Sequence, residues 1–175
     1  EVLTSDNWLR TGDIGLWLPN GQLAIIDRKK NLLKLSQGEY VAVEKVENVL
    51  GRASLVNQIF VHGDSTKDFI VGIIVPNVEA RKTWMGNNGD NHDAFKLAVL
   101  KEIQELSTAH GLKGFEMVRR IHIDTTVSEW SPLNGLTTPT HKIKRAQLRE
   151  KYKSEISNMY AQGKENRRAA LNSKL

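Results

Sequence analysis

The sequence predicts an α+β domain in which a β-hairpin, a central sheet of short strands and flanking helices follow one another. Three observations favour this class. A turn signal separates two apolar runs near the beginning of the chain, short β-rich runs lie between amphipathic helical segments, and no βαβ unit is repeated. With 175 residues, 39% of them hydrophobic, the chain is long enough for one sizeable core.

The first elements are predicted from turns and apolar periodicity. Residues 15–27 read GLWLPNGQLAIID, and the Pro-Asn-Gly turn predicts a hairpin because asparagine and glycine accept the positive φ of a tight turn. Residues 31–41, NLLKLSQGEYV, predict a short strand broken by Gly38. Apolar side chains on one face of residues 41–50, with charged ones opposite, predict a helix.

Three further runs predict strands of the central sheet, at residues 57–63, 68–77 and 117–124. The second run, DFIVGIIVPN, is apolar at nearly every position. Such a run is typical of a strand covered on both faces, so we expect it in the interior of the sheet and not at an exposed edge.

Helices are predicted at residues 78–85, 93–109 and 146–160, with the turn-rich segment GNNGDN between the first two at 86–91. The buried side of the closing helix is predicted to hold Leu148, Ile156 and Met159.

Composition excludes several kinds of site. The chain has no cysteine, so disulfides, thiolate metal sites and cysteine nucleophiles are excluded, and its five histidines show no ligand spacing, so no metal site is predicted. No apolar run is long enough to span a bilayer, and the first residues lack the zones of a signal peptide. Residues 4–15 resemble the end of a preceding unit, so we expect a large domain on the amino-terminal side.

The net charge of +5 is unevenly distributed. Residues 142–175 contain ten lysines and arginines and three glutamates, whereas residues 1–141 contain fifteen basic and seventeen acidic residues. A local basic end predicts either an amphipathic helix with a solvated face or a nucleic-acid-binding module at residues 142–168. Only Tyr152 and Tyr160 lie among these charges, so stacking platforms for single strands are not indicated.

Two segments together resemble one family. NWLRTGDIGLWLPNGQLAIIDRKKNLLKLSQGEYVAVEKVENVL at 7–50, followed by PLNGLTTPTHKIKRAQLREKY at 132–152, is similar to the carboxyl-terminal part of the AMP-forming acyl-CoA synthetases, specifically the long-chain fatty acyl type. The resemblance covers nearly the whole chain and is weakest at about residues 80–115 and after 160.

The resemblance implies a two-step reaction. A fatty acid and ATP form an acyl-adenylate and pyrophosphate, and the acyl group then passes to the thiol of coenzyme A. It also implies that residues 1–27 end the large domain, that residues 28–162 form a mobile lobe rotating between the steps, and that residues 163–175 form an exposed tail. The missing large domain would be the partner of this lobe, and the chain alone would be inactive. ATP and coenzyme A enter as substrates, and Mg²⁺ accompanies ATP with ligands mostly outside this chain.

Two residues match the family's nucleotide-sugar site. Asp13, in the TGD turn, matches an aspartate whose oxygens accept hydrogen bonds from the ribose hydroxyls, and a carboxylate can accept both. Arg28, in DRKK, matches an arginine that reaches the same sugar with a planar set of donors. From the residues alone, Asp13 also fits a turn-forming aspartate, and Arg28 also fits a surface partner of Asp27 or of a later glutamate.

Two more residues match the moving parts of the family. Lys30 occupies the hinge position, where a few residues absorb the change in φ and ψ, although Lys29, Lys30 and Lys34 taken alone predict a solvated face. Gly38 matches the glycine beside the pantetheine arm of coenzyme A, where a missing Cβ permits close approach. The alternatives are a glycine tolerated at a strand end and a register shifted by one residue.

Lys142 carries the proposed catalysis. In TTPTHKIKR at residues 137–145 it matches the lysine that meets both the fatty-acid carboxylate and the α-phosphate of ATP, and offsets their repulsion. If this segment is extended, Lys144 shares its side and Arg145 lies opposite, and both either contact coenzyme A phosphates or are solvated.

The last three residues, Ser173-Lys174-Leu175, form the tripeptide that the peroxisomal import receptor binds when it is a free carboxyl end, so a peroxisomal location is expected. A carrier-protein thiol is an alternative acyl acceptor within the same enzyme class. No nucleic acid is expected as a partner in the ligase interpretation.

Overall fold

A computed structural model describes the backbone of residues 3–172 and the side chains of residues 3–162. Within this part the chain has the α+β architecture that the sequence predicts, with seven short strands in three sheets and five α-helices. In chain order the elements are β1 (Asp13–Trp17), β2 (Leu23–Arg28), β3 (Leu32–Lys34), β4 (Tyr40–Ala42), α1 (Val43–Leu50), β5 (Val56–His62), β6 (Ile70–Pro76), α2 (Val78–Asn88), α3 (His92–Ala109), β7 (Val118–Ile123), α4 (Arg145–Lys151) and α5 (Lys153–Asn172).

The central sheet has the order β5-β6-β7, with β6 antiparallel to β5 and parallel to β7. Every residue of β6 is buried, as its apolar run predicts. Because strand side chains alternate, Ile70 and Ile74 pack with α1 and α3, while Val71, Ile73 and Val75 pack with α4 and α5. The sheet is therefore covered by helices on both faces.

The β1–β2 hairpin confirms the predicted turn. Gly21 has a φ of +79° in the tight turn, and its N–H donates to the carbonyl of Leu18. The hairpin joins neither buried cluster, and large apolar side chains in and before it are mostly exposed: Trp8, Leu9, Leu16, Trp17, Leu23 and Ile25. A surface of this kind is typical of a segment that packs against another unit.

The segment around Gly38 differs from the prediction of one broken strand. It forms two strands, β3 and β4, that pair antiparallel, and Gly38 lies in the turn between them with a φ of +92°. The predicted helix at residue 41 begins later, at Val43, because Val41 and Ala42 pair with β3. Local periodicity missed the hairpin because its second strand runs directly into the helix.

Two helix boundaries also differ from the predictions. α2 continues to Asn88, so only residues 89–91 remain of the predicted loop, and the Asn91 side chain caps α3 by accepting from the N–H of Ala94. The closing helix is two helices, because Tyr152 leaves helical geometry with φ −104° and ψ 25°. The predicted apolar side chains are buried, namely Leu148, Ile156 and Met159.

The α5 backbone continues to Asn172, beyond the predicted end at residue 160, whereas Ser173, Lys174 and Leu175 lie outside the described residues. No described helix has an apolar stretch of the length that a membrane crossing requires.

Gly63 lies where β3 packs on the core, so substitution of this glycine tests that packing. A Cβ at this position would lie 1.8 Å from Leu33 Cδ2 and 3.1 Å from Ile70 Cγ2, and Leu33 itself packs against the buried cluster. We expect Gly63→Ala to lower the free energy of unfolding by about 1–3 kcal/mol, measured by urea denaturation. Gly86→Ala, in α2 with no atom within 4 Å of the new Cβ, is the control and should be neutral or slightly stabilising. Equal unfolding midpoints for the two variants would contradict this packing.

Candidate active site

The β1–β2 hairpin brings the two predicted sugar-binding residues together. Asp13 begins β1 and pairs in register with Arg28 at the end of β2, with Arg28 Nε 3.5 Å from Asp13 Oδ1. Arg28 thus pairs with Asp13, not with Asp27 or a later glutamate. The Asp13 side chain is 32% exposed and that of Arg28 is 65% exposed, so both can contact a ligand.

Asp27 is a residue whose role the sequence did not predict. Its carboxylate is buried and accepts hydrogen bonds from the N–H of Arg28 at 2.6 Å, from Asn31 Nδ2 at 3.3 Å and from the N–H of Glu44 at 3.4 Å. Asp27 therefore fixes the turn after β2 to the first turn of α1. The DRKK motif contains this aspartate, but its burial depends on α1, which a local pattern does not show.

Lys30 is exposed in the turn between β2 and β3. The N–H of Asn31 donates to the carbonyl of Arg28, and the turn lines one side of a cleft of about 310 Å³ that Arg145 and Arg149 line as well. The hinge role of Lys30 stays a prediction. The position is consistent with it, since a short exposed turn joins the hairpin to the core.

Gly38 has a backbone reason for being glycine. Its φ of +92° is one that other residues rarely adopt, and a Cβ there would meet no atom within 4 Å. The turn is docked on the loop before β6, because Gln37 Nε2 donates to the carbonyl of Asp68 and the N–H of Ser36 donates to that of Lys67. A contact with coenzyme A stays a prediction.

Lys142 lies in a tight turn that its own neighbours close. The N–H of Lys142 donates to Thr138 Oγ1 at 3.1 Å, and its carbonyl accepts from the N–H of Thr138 at 2.8 Å. Thr137 bridges Ile143 across the turn, and His141 takes a φ of +59°. The hydroxyl-rich sequence thus builds a defined turn that presents Lys142 to solvent, and within residues 3–162 no ion pair involves its ammonium group.

Arg145 corrects the prediction that it is solvated or contacts coenzyme A. Its guanidinium group pairs with Glu47, with Nη1 3.0 Å from Oε1 and Nη2 2.5 Å from Oε2, and it lies over the Phe60 ring. Burial raises the pKa of Glu47, because loss of hydration outweighs the hydrogen bonds from Arg145 and from the Val61 N–H. Arg145 is therefore a partly buried residue that is paired with α1. Lys144 precedes α4 and is partly buried.

A buried polar chain anchors the segment before the Lys142 turn. The N–H of Trp130 donates to Gln58 Oε1 at 2.5 Å, and Gln58 Nε2 donates to the Trp130 carbonyl at 3.0 Å. Trp130 Nε1 donates to the Tyr152 hydroxyl at 2.9 Å, and that hydroxyl donates to Asp124 Oδ2 at 2.5 Å. These contacts tie the loop between β7 and α4 to the sheet and to the helix junction.

The carboxylate at the end of this chain has an altered pKa. Burial alone would raise the pKa of Asp124, but hydrogen bonds from Thr126 and Tyr152, together with the Lys151 charge, outweigh it and lower the pKa to about 2. Asp124 is therefore ionised in the folded protein over almost the whole pH range.

The predicted site residues fall in three regions. Asp13, Arg28 and Lys30 lie at the hairpin end and the adjoining turn. Gly38 lies in the turn between β3 and β4, and Lys142 lies on the turn before α4. No hydrogen bond or ion pair among the described side chains joins Lys142 to the Asp13–Arg28 pair. Within the same residues, no group of three or more histidines and carboxylates is placed to hold a metal ion.

Comparison with known proteins decides the family. Residues 30–164 match the model of the AMP-binding enzyme C-terminal domain. The chain belongs to this family. The match begins at Lys30, immediately after the hairpin, and includes both the Gly38 turn and the Lys142 turn. The resemblance stated from the sequence is thereby confirmed at the level of the family.

Curated relatives of this AMP-binding enzyme C-terminal domain are long-chain ligases. Human long-chain-fatty-acid–CoA ligase 6 is 49% identical over 170 residues, which are 92% of this chain and 24% of that protein. Long chain acyl-CoA synthetase 7, peroxisomal, from Arabidopsis thaliana is 44% identical over 172 residues, which are 93% of this chain and 24% of that protein. The chain thus spans about a quarter of the length of these relatives.

Solved structures agree with the family and confirm the fold class. The A domain of a carboxylic acid reductase from Segniliparus rugosus, in complex with AMP and a co-purified carboxylic acid, has a TM-score of 0.81 at 32% identity. The match covers 92% of this chain and 24% of that one. The A-PCP didomain from the same organism has a TM-score of 0.83 at 32% identity, covering 98% of this chain and 23% of that one.

The lowered pKa of Asp124 predicts a defined loss of stability in acid. An aspartate with a folded pKa of about 2 and an ordinary value of 3.8 stabilises the fold above pH 3.8, and this contribution is lost as the pH falls towards 2. We expect the free energy of unfolding to fall by about 2 kcal/mol more in the wild type than in Asp124→Asn over this range. Urea denaturation at several pH values measures it, with Glu129→Gln, an exposed carboxylate, as the control. The same pH slope in wild type and Asp124→Asn would contradict the assignment.

Proposed function

We propose that this chain is the carboxyl-terminal lobe of an AMP-forming long-chain fatty acid–CoA ligase. The observation that carries the proposal is the position of Lys142, presented to solvent on a hydrogen-bonded turn while the nearby Arg145 is held by Glu47. Support comes from the family match and from relatives named as long-chain-fatty-acid–CoA ligases.

In the first half-reaction the Lys142 ammonium group would lie between the fatty-acid carboxylate and the α-phosphate of ATP. Both reactants are anions, so a compact positive charge offsets their repulsion and stabilises the charge that develops at phosphorus. A lysine suits this position because its point charge can contact two oxygens at once without the fixed planar geometry of arginine.

Asp13 and Arg28 would hold the nucleotide sugar. One carboxylate oxygen of Asp13 lies 3.5 Å from Arg28 Nε, which is longer than a good hydrogen bond, so both oxygens remain able to accept from ribose hydroxyls. The neighbouring guanidinium group places a positive charge beside the carboxylate and has further donors free for the sugar. The register of the hairpin thus places an acceptor and donors side by side.

The second half-reaction would follow rotation at the turn containing Lys30, which removes Lys142 and brings the Gly38 turn to the acyl group. The open space around Gly38 would then accept the pantetheine arm of coenzyme A. Mg²⁺ would arrive with ATP, and its ligands are proposed to lie mostly outside this chain. Acyl transfer to a carrier-protein thiol instead of coenzyme A would use the same surfaces.

A large domain of the same polypeptide would be the partner of this lobe. The exposed apolar side chains of the hairpin need a cover, with Trp8 at 72% and Trp17 at 71% exposure. The relatives, about four times as long as their matched part, have room for such a domain. The proposal therefore includes negligible activity for residues 1–175 by themselves.

We also propose that the Ser173-Lys174-Leu175 tripeptide, as a free carboxyl end, binds the peroxisomal import receptor. One relative is named as peroxisomal, which supports this location. We expect a fluorescent protein carrying residues 163–175 at its carboxyl end to colocalise with a peroxisomal marker in cells, and the fusion without the last three residues to stay diffuse. Equal distribution of both fusions would contradict the proposal.

Replacement of Lys142 tests the catalytic role. In an enzyme in which this chain is joined to a large domain of a close relative, we expect Lys142→Ala to slow pyrophosphate release from palmitate and ATP by about 100- to 1,000-fold. Thioester formation from preformed palmitoyl-adenylate should be nearly unchanged, because Lys142 acts only in the first step.

Lys144→Ala is the matched control, since it removes the same charge from the same segment and should keep nearly full activity. Adenylation at the wild-type rate by Lys142→Ala would refute the proposed role.

A further inference from the structure

A partly buried ion pair connects the helix that follows the proposed hinge with the segment that carries Lys142. Glu47, on α1, receives both Nη atoms of Arg145, the first residue of α4, and its Oε1 also accepts from the Val61 N–H at 2.8 Å. The Glu47 side chain is 11% exposed and that of Arg145 is 24% exposed. The other ion pairs of the basic segment are more exposed or involve the helix junction.

The two-pronged geometry of the Glu47–Arg145 pair fixes an orientation, which a contribution to stability alone would not require. A bidentate pair fixes both the distance and the relative orientation of its two partners. Burying two charges is costly, and apolar residues of similar size often stabilise a fold equally well. A pair of this kind is therefore better suited to fixing the position of α4 than to adding stability.

The contacts form a continuous path from the hinge turn to Lys142. Asn31, directly after Lys30, donates from Nδ2 to Glu44 Oε1, so the end of the turn that belongs to the lobe is attached to the first turn of α1. Glu47 lies one turn further along the same helix and holds Arg145. Since Arg145 follows Lys142 by three residues, a rotation at the hinge turn is transmitted to Lys142 through rigid elements.

The stem of the Lys142 turn, which is the paired backbone at Leu136 and Lys144, lies next to Arg145 in the chain. The N–H of Lys144 donates to the carbonyl of Leu136 at 2.9 Å, which closes the stem immediately before Arg145. If Arg145 were released from Glu47, the downstream side of the stem would lose its attachment to α1. Trp130, held by Gln58 and Tyr152, would still anchor the upstream side.

We infer that Glu47 and Arg145 are a positioning pair that sets the orientation in which Lys142 reaches the reactants during adenylation. The inference rests on the proposed function of Lys142. This positioning role requires no contact between substrate and either residue of the pair. Both act through the Lys142 turn, and the second half-reaction does not depend on them.

Hydrogen–deuterium exchange on this chain tests whether the Glu47–Arg145 pair holds the Lys142 turn, and it needs no activity measurement. We expect Glu47→Gln to speed exchange at the amides of Lys142 and Lys144 by about 10-fold, while the Trp130 amide changes little. Glu150→Gln, which removes an exposed pair with Lys153, is the control and should leave all of these amides unchanged. Unchanged exchange in Glu47→Gln, or an equal increase at every amide, would overturn the inference.

Arg145→Lys is a second variant, for use where Glu47→Gln does not fold. It keeps the charge beside Glu47 but loses the two-pronged geometry, so the same two amides should exchange faster. Protection equal to that of the wild type in Arg145→Lys would also overturn the inference, since a single charge would then suffice.

Kinetic measurements on the joined enzyme test whether the Glu47–Arg145 pair affects adenylation. Because misplacement of a reacting group by about 1 Å can cost about 100-fold in rate, we expect Glu47→Gln to lower kcat for adenylation by about 10- to 100-fold. The KM for ATP should stay within about 2-fold, and thioester formation from palmitoyl-adenylate should be unchanged. Equal losses in both half-reactions, in proportion to a lower Tm, would indicate a structural role only and overturn the inference.

The two proposals fail in different ways. Normal adenylation by Lys142→Ala would refute the proposed function, whereas exchange at Lys142 and Lys144 would still decide whether Glu47 holds the turn. Slow adenylation by Lys142→Ala together with normal adenylation by Glu47→Gln would refute the positioning role alone.

Discussion

The bidentate pair between Glu47 and Arg145 is the interaction on which the arrangement of this lobe depends. It joins α1, which packs on one face of the central sheet, to α4, which packs on the other, across the edge strand β5. It also satisfies an edge N–H of β5, at Val61, that the ladder leaves without a partner. The two helical layers are thereby held in one orientation, and the Lys142 turn with them.

Family, fold and geometry support one chemical account. The hairpin aligns Asp13 with Arg28, the adjoining turn is fixed to α1 by Asp27, and a separate stiff turn presents Lys142. The Asp13–Arg28 pair and the Lys142 turn are separate candidate binding regions, and this separation suits a lobe proposed to present different surfaces in successive steps. The nucleic-acid alternative gains nothing from the family match, and several cations in its proposed binding segment are paired internally, namely Arg145, Lys151 and Lys153.

Sequence patterns predicted the features that depend on residues close together in the chain. The Pro-Asn-Gly turn indicated the first hairpin, and the apolar run of β6 indicated a strand covered on both faces. The partners of Arg145 and Trp130 could not be predicted, because Glu47 is 98 residues away and Gln58 is 72 residues away in sequence. The burial of Asp27 depends in the same way on α1. The sequence therefore identified the candidate residues, whereas their positioning partners required the structure.

The central claim is that a rigid lobe delivers the Lys142 ammonium group to the two anions as they combine. The most direct measurement is a crystal structure of the joined enzyme with a stable acyl-adenylate analogue. This account predicts Lys142 Nζ within hydrogen-bond distance of the acyl oxygen or the phosphate mimic, Asp13 on the ribose hydroxyls, and the Glu47–Arg145 pair intact. A bound analogue with Asp13 turned away from the ribose, or with Lys142 remaining in solvent in the adenylating arrangement, would contradict it.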